Sequence, residues 1–175
     1  MAALSLDLCA QAGLVWGQEF LADATRVPAN AARVDGLNVD LHPVALSHAQ
    51  VQGFYYGFSN RTVWPLFHDL PSLCNFDPAY WRTYQRVNRK YARAVHAKAA
   101  PGDFIWVHDY HLMLLAAELR RLGTRSRQGF FLHIPFPAPD VFMKLPWRAP
   151  VMEALLQFDL LGFQTERDVR NFAAC

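Results

Sequence analysis

Cysteine is scarce in this sequence: Cys9, Cys74 and Cys175 are the three present among 175 residues. An odd number without metal-like spacing argues against a disulfide framework and fits thiols kept in a reducing compartment. No uninterrupted apolar stretch approaches the roughly 18 residues that suggest a membrane span. The opening Met1-Ala2-Ala3-Leu4-Ser5-Leu6-Asp7-Leu8-Cys9 has no basic segment and places Asp7 inside its short apolar run, so it does not read as a signal peptide. Charge is sparse too, at 18% of residues with a formal net charge of +2. Basic residues are dispersed apart from Arg120, Arg121, Arg125 and Arg127 around one helix end, where they complement the helix dipole. A nucleic-acid footprint needs a broader basic face. There is no internal repeat and no low-complexity tract. These absences leave a soluble cytoplasmic protein, with neither nucleic acid nor membrane as partner, as the expectation.

What is present is apolar material, 53% of the chain, enough to bury a core in one domain or part of a larger one. Residues 1–36 are hard to read: 4–12 suit a helix and 14–16 a short strand, while 37–41 alternate as a half-buried strand would. Ser47 can cap a short helix leading into Phe54-Tyr55-Tyr56. From Gly57 to Pro71 the sequence reads as an ordered loop, because Pro65 pushes Trp64 towards extended geometry and argues against a helix. Asp77 as N-cap and Pro78 at the first helical position then open the clearest helix. Its apolar stripe is Tyr80, Tyr84, Val87, Tyr91 and Val95.

Beyond Pro101-Gly102 the alternation is regular: a strand at 104–108, a helix at 110–122 stopped by Gly123, and a strand at 129–133. Helical segments at 139–145 and 150–157, a strand at 158–163 and a helix capped by Thr165 with Asp168 three residues on complete the chain. Strands alternating with helices predict an α/β fold, a Rossmann-like parallel sheet with flanking helices. The apolar runs 104–107 and 130–134 suit strands buried on both faces.

In such a sheet the carboxyl ends of neighbouring strands share a crevice where ligands bind. His108-Asp109 ends one strand and His133 the next. Adjacent His108 and Asp109 do not have metal-ligand spacing, and no HExxH pattern or Cys/His partner accompanies them. If the pleat alternates, Asp109 enters the crevice and His108 does not. Asp109 is placed either to cap the next helix or to accept hydrogen bonds from sugar hydroxyls. His133 is either a satisfied core residue or a donor to such a ligand. No Gly-x-Ser-x-Gly elbow or thiol nucleophile is present.

Five stretches together carry a resemblance. They are Tyr55-Tyr56-Gly57-Phe58-Ser59-Asn60, Val63-Trp64-Pro65-Leu66-Phe67-His68, Val107-His108-Asp109-Tyr110-His111-Leu112-Met113, Gly129-Phe130-Phe131-Leu132-His133-Ile134-Pro135-Phe136-Pro137 and Asp159-Leu160-Leu161-Gly162-Phe163-Gln164-Thr165. In order and spacing, from about residue 53 onward, the sequence resembles the trehalose-6-phosphate synthase family. Residues 1–36 carry little of the likeness. The resemblance implies a partial acceptor-binding domain over 37–175, one half of the two-domain GT-B arrangement, with the donor domain absent and the isolated chain inactive.

It further implies transfer of glucose from UDP-glucose to glucose 6-phosphate with retention, giving α,α-trehalose 6-phosphate and UDP. By motif position Tyr55 and Trp64 match acceptor-binding residues, Asp109 the catalytic-centre carboxylate on the acceptor hydroxyls, and His133 the histidine that contacts the donor glucose. No metal and no cofactor are implied, since UDP-glucose is a substrate, and homo-oligomerisation is left open. Two alternatives stay open: a non-catalytic sugar-phosphate-binding or regulatory fragment, and a related transferase with an acceptor such as glycerol 3-phosphate. The Phe58-Ser59-Asn60 and Trp64–His68 stretches lean towards glucose 6-phosphate.

Overall fold

Among the described residues four short strands run parallel, side by side in the order in which the chain reaches them: β1 (Glu19–Ala22), β2 (Phe104–His108), β3 (Arg127–Phe131) and β4 (Leu160–Gly162). The computed structural model describes residues 42–175 in full and residues 19–22 as backbone. The elements expected over 4–16 and 37–41 lie outside the described residues. β3 begins two residues earlier than the sequence suggests, in register Phe104 to Arg127 and His108 to Phe131.

One face of the sheet carries Ile105, Val107 and Phe130, all buried. Each such side chain contributes about 1.5–3 kcal/mol relative to exposure. The other face departs from the expectation of strands buried on both sides. Along β2 burial alternates strictly, with Phe104, Trp106 and His108 only half-buried. The Phe104 ring lies against Gly129 of β3, where a Cβ would sit 2.8 Å from its Cζ. The rings on this face thus cover the sheet themselves, and glycine is what lets them approach.

The segment read as a loop is helical. Ser47 caps α1 (His48–Val51) through a capping box with Gln50. The chain then widens into a π-helical stretch, Gln52–Val63, and tightens again into α2 (Trp64–Phe67). Trp64 has helical dihedrals, φ −56° and ψ −53°, although proline follows it. The π spacing is the reason: Trp64 N–H donates to Ser59 C=O, five residues back. Pro65 has no N–H to offer Arg61 C=O, and the Asn75 N–H bonds that carbonyl instead at 2.7 Å. α2 ends in a Schellman turn, Leu70 N–H to Pro65 C=O and Asp69 N–H to Leu66 C=O, with Asp69 at φ 59°.

α3 (Pro78–His96) starts as its sequence predicts, Asp77 accepting from Ala79 N–H at 2.7 Å with Pro78 in the first turn. Its buried face is rotated from the expected stripe: Trp81, Thr83, Tyr84, Val87, Asn88 and Ala92 face inward, while Tyr80, Tyr91 and Val95 are half-buried. The π-helical stretch packs against α3 so closely that a Cβ on Gly57 would meet the Tyr80 ring at 2.6 Å.

The expected helix over 110–122 is a 3-10 turn, Tyr110–Leu112, followed by α4 (Leu115–Arg121), and Gly123 ends it at φ 85°. Arg120 serves the helix end as its position suggests, donating to Thr124 and Ser126 C=O and pairing with Asp159 at 2.8 Å. α5 (Pro139–Phe142), α6 (Arg148–Leu155) and α7 (Glu166–Ala173) complete the shell. Thr165 Oγ1 accepts from Asp168 N–H as a cap should. The Asp168 carboxylate, 2% exposed, takes the Phe136 N–H and so ties α7 to the loop after β3. Among the described residues no helix is long and apolar enough to cross a membrane.

Candidate functional site

The carboxyl ends of β2 and β3 meet through Asp109. Its N–H donates to Phe131 C=O at 2.8 Å, extending the ladder by one residue. Its backbone then turns to φ 71° and ψ 166°, a region open essentially to glycine alone. Asp109 occupies the N-cap position of the Tyr110–Leu112 turn, yet its side chain makes no cap bond. The carboxylate reaches across the strands and accepts the His133 backbone N–H at 3.2 Å. Of the two readings left open for Asp109, helix cap and ligand acceptor, the structure removes the first.

An aspartate persists in such a conformation only when its surroundings over-determine it. Two side chains of α3 do this work. Tyr84 Oη donates to Tyr110 C=O at 2.7 Å and accepts from Met113 N–H at 3.1 Å. Asn88 Nδ2 donates to Tyr84 and His111 C=O, and its Oδ1 accepts from Leu114 N–H. The backbone polar groups of a buried turn are thereby paired, as burial demands. Burial pushes the Tyr84 phenol far above its ordinary range, with a smaller rise from the Asp109 charge. Tyr110 moves the same way, from burial first, then the charges of Asp109 and Tyr55. Sequence reasoning placed Tyr84 in an apolar stripe and passed over Asn88; a polar residue inside that stripe was the available signal.

Tyr55 and Trp64 come from the π-helical segment and its end. The segment is docked on the turn after β2 by Tyr110 Oη donating to Asn60 Oδ1 at 3.1 Å. Tyr55 is half-buried, its ring stacked on His111 at 5.4 Å and 11°. His111 is 3% exposed among Phe54, Tyr55 and Tyr110, so its place is in the packing. Trp64 stands further out, 41% exposed, stacked on His68 at 4.1 Å, with His68 Nδ1 2.7 Å from Trp64 C=O.

His133 is exposed at the end of the β3 run, and its C=O accepts from Gln164 Nε2 at 2.7 Å. His108 does not turn away from it. The two imidazoles lie 5.0 Å apart, with Nδ1 of His108 2.7 Å from Nε2 of His133. The structure therefore joins Asp109, His133 and His108 at one point, links Tyr55 to it through Tyr110 and His111, and leaves Trp64 at the rim of the segment. A cavity of about 930 Å³ opens at the opposite end of the strands, lined by Phe104, Trp106, Arg125 and Arg127 among others. It touches none of these residues.

The glycosyltransferase family 20 model matches residues 14–175. The trehalose-6-phosphate synthase of Sinorhizobium fredii is 39% identical over 174 residues, 99% of this chain and 38% of that protein. An α,α-trehalose-phosphate synthase (UDP-forming) from Burkholderia xenovorans, solved in complex with glucose-6-phosphate, is 46% identical with TM-score 0.72, over 73% of this chain and 28% of that one. A structure from E. coli bound with UDP-2-fluoro glucose is 45% identical with TM-score 0.74, over 74% of this chain and 29% of that one. The chain thus spans from 28% to 38% of the length of these three. Its parallel sheet with flanking helices is part of the GT-B-like fold of the solved structures. Matched over residues 14–175, the chain belongs to glycosyltransferase family 20.

Proposed function

We propose that this chain forms the acceptor side of a retaining, UDP-forming α,α-trehalose-phosphate synthase, which transfers glucose from UDP-glucose to glucose 6-phosphate. The observation that carries the reading is Asp109, held in a glycine-only conformation with its carboxylate at the junction of two strand ends. A half-buried carboxylate fixed there can accept from acceptor hydroxyls, and backbone strain of this kind clusters at functional sites. Tyr55 and Trp64 provide the acceptor's remaining walls, and His133 faces the donor glucose. The partial acceptor-binding domain is taken to run over 37–175, with 1–36 as a separate segment.

In this scheme the acceptor hydroxyl attacks the donor's anomeric carbon as the carbon–oxygen bond to the UDP phosphate breaks on the same face. The departing phosphate takes the hydroxyl proton. The protein contributes positioning and electrostatic stabilisation, with no covalent nucleophile and no cofactor. The cytoplasm is the compartment proposed for the reaction, in keeping with a nucleotide-sugar substrate and thiols outside any disulfide framework.

Calorimetric titration of the chain with glucose 6-phosphate tests the reading. Saturable binding is expected, weakened about tenfold or more in Asp109→Ala by loss of a charge-assisted hydrogen bond. Equal binding by both proteins would remove Asp109 from the site. Tighter binding of glycerol 3-phosphate than of glucose 6-phosphate would reassign the acceptor.

A further inference from the structure

His108 was expected to point away from the crevice, yet its Nδ1 lies 2.7 Å from Nε2 of His133. At that distance two lone pairs repel and two N–H groups collide, so one proton sits between the nitrogens. A neutral imidazole carries one N–H, on either nitrogen. If His108 donates from Nδ1, His133 accepts at Nε2 and must carry its own proton on Nδ1. If His133 donates from Nε2, His108 accepts at Nδ1 and must carry its proton on Nε2. In both arrangements the two rings are protonated on the same-named nitrogen.

The rest of His133 is already fixed. Its N–H is held by the Asp109 carboxylate and its C=O by Gln164 Nε2. The Phe131 ring lies 4.8 Å from the His133 ring, and Trp106 5.8 Å from the His108 ring. The remaining freedom of His133 is rotation of its ring and choice of tautomer; the contact with His108 restrains the first and ties the second to the tautomer of His108.

We infer that His108 is a positioning residue that holds neutral His133 in a single tautomer matched to its own, so that His133 presents one fixed hydrogen-bonding character at Nδ1. The functional consequence, a defined partner for a hydroxyl of the donor sugar, rests on the role proposed for His133. The pairing itself does not.

Long-range ¹H–¹⁵N correlation spectra of the labelled chain, at about pH 8.5 where an ordinary imidazole is neutral, report which ring nitrogen is protonated. One tautomer for each of the two histidines, the same for both, is expected. In His108→Phe, which keeps a ring but no nitrogen, His133 should lose its single tautomer and show the averaged signals of a free imidazole. His108→Asn, whose amide offers a donor or an acceptor near the position of Nδ1, should restore a hydrogen bond at His133 Nε2 without choosing between its tautomers. Averaged or unmatched tautomers in the unaltered chain would overturn the inference, as would a His133 signal that His108→Phe leaves unmoved. Should His108→Phe fail to fold, the spectrum of the unaltered chain still decides. No sugar enters these measurements, so a failure of glucose 6-phosphate binding and a failure of the pairing are separate results.

Discussion

Asp109 offers a direct measurement of strain at the proposed binding site. Its φ of 71° with ψ of 166° costs a residue bearing a Cβ about 1–3 kcal/mol, and glycine almost nothing. Two substitutions separate this cost from the carboxylate's bond to His133 N–H. Asp109→Ala removes the bond and keeps the strain; Asp109→Gly removes both. Loss of a half-exposed, 3.2 Å bond costs about 0.5–1.5 kcal/mol, so Asp109→Ala should be less stable than the parent by that amount. Glycine gives back the strain, less about 0.5–1 kcal/mol for its greater freedom when unfolded. Asp109→Gly should therefore exceed Asp109→Ala by up to about 2.5 kcal/mol and lie near the parent. Urea unfolding of the three chains at one pH, compared by midpoint at constant slope, measures the differences. Alanine equal to or better than glycine would show that the turn is relaxed at Asp109, and the reading of this residue as held under strain would be wrong. Both variants should lose glucose 6-phosphate binding, whichever is the more stable.

Other perturbations follow from the same contacts. Tyr84→Phe keeps the ring stack but leaves the buried Tyr110 C=O and Met113 N–H without their partner, and should cost about 2–4 kcal/mol in urea unfolding, with loss of glucose 6-phosphate binding alongside. Alkaline pH should unfold the chain. Tyr84 and Tyr110 are both raised, so above about pH 10 the unfolded state binds fewer protons than the folded one, and each phenol removes about 1.4 kcal/mol per pH unit until its folded value is passed. Their contribution is fully present below pH 10, and a Tm that does not fall between about pH 9 and 11 would contradict this. Asp69→Gly, at φ 59° in the Schellman turn, should raise stability by about 0.5–1 kcal/mol. Thr165→Ala should cost about 1 kcal/mol through the lost cap and, by freeing Asp168, loosen the Phe136 loop as seen in amide exchange.

The strands were legible because β2 and β3 are apolar runs closed by turn residues, and α3 because Asp77-Pro78 is an unambiguous start. Thr165 likewise announced its helix. The site was legible only as far as the chain obeyed local rules. Alternation along β2 put His108 and Asp109 on opposite faces, but the backbone leaves the pleat at Asp109, and His108 ends beside His133 instead. The rule that a residue before proline avoids helical geometry failed at Trp64, because the π spacing releases the carbonyl that Pro65 could not have bonded. In the sequence Asn88 is marked only as a polar residue within the apolar stripe; its amide bonds acquire meaning only when α3 lies against the 110–114 turn. Each miss is a tertiary contact that overrode a local preference.

The widened helix over Gln52–Val63 has a consequence for how the motif is displayed. An α-helix advances about 100° per residue, so positions nine apart face opposite ways. A π-helix, with about 4.4 residues per turn, advances about 82°, and the same nine positions return to nearly the starting azimuth. Exposure along the segment follows that slower rotation, with Gln52, Tyr56, Arg61 and Trp64 as its outward residues. Tyr55 and Trp64 are nine apart, so the slower winding brings close two azimuths that a regular helix would set back to back, with Tyr55 packed on His111 and Trp64 exposed on His68. In the function proposed above, the phase of this one helix is what would let a short stretch of chain offer both aromatics to one acceptor.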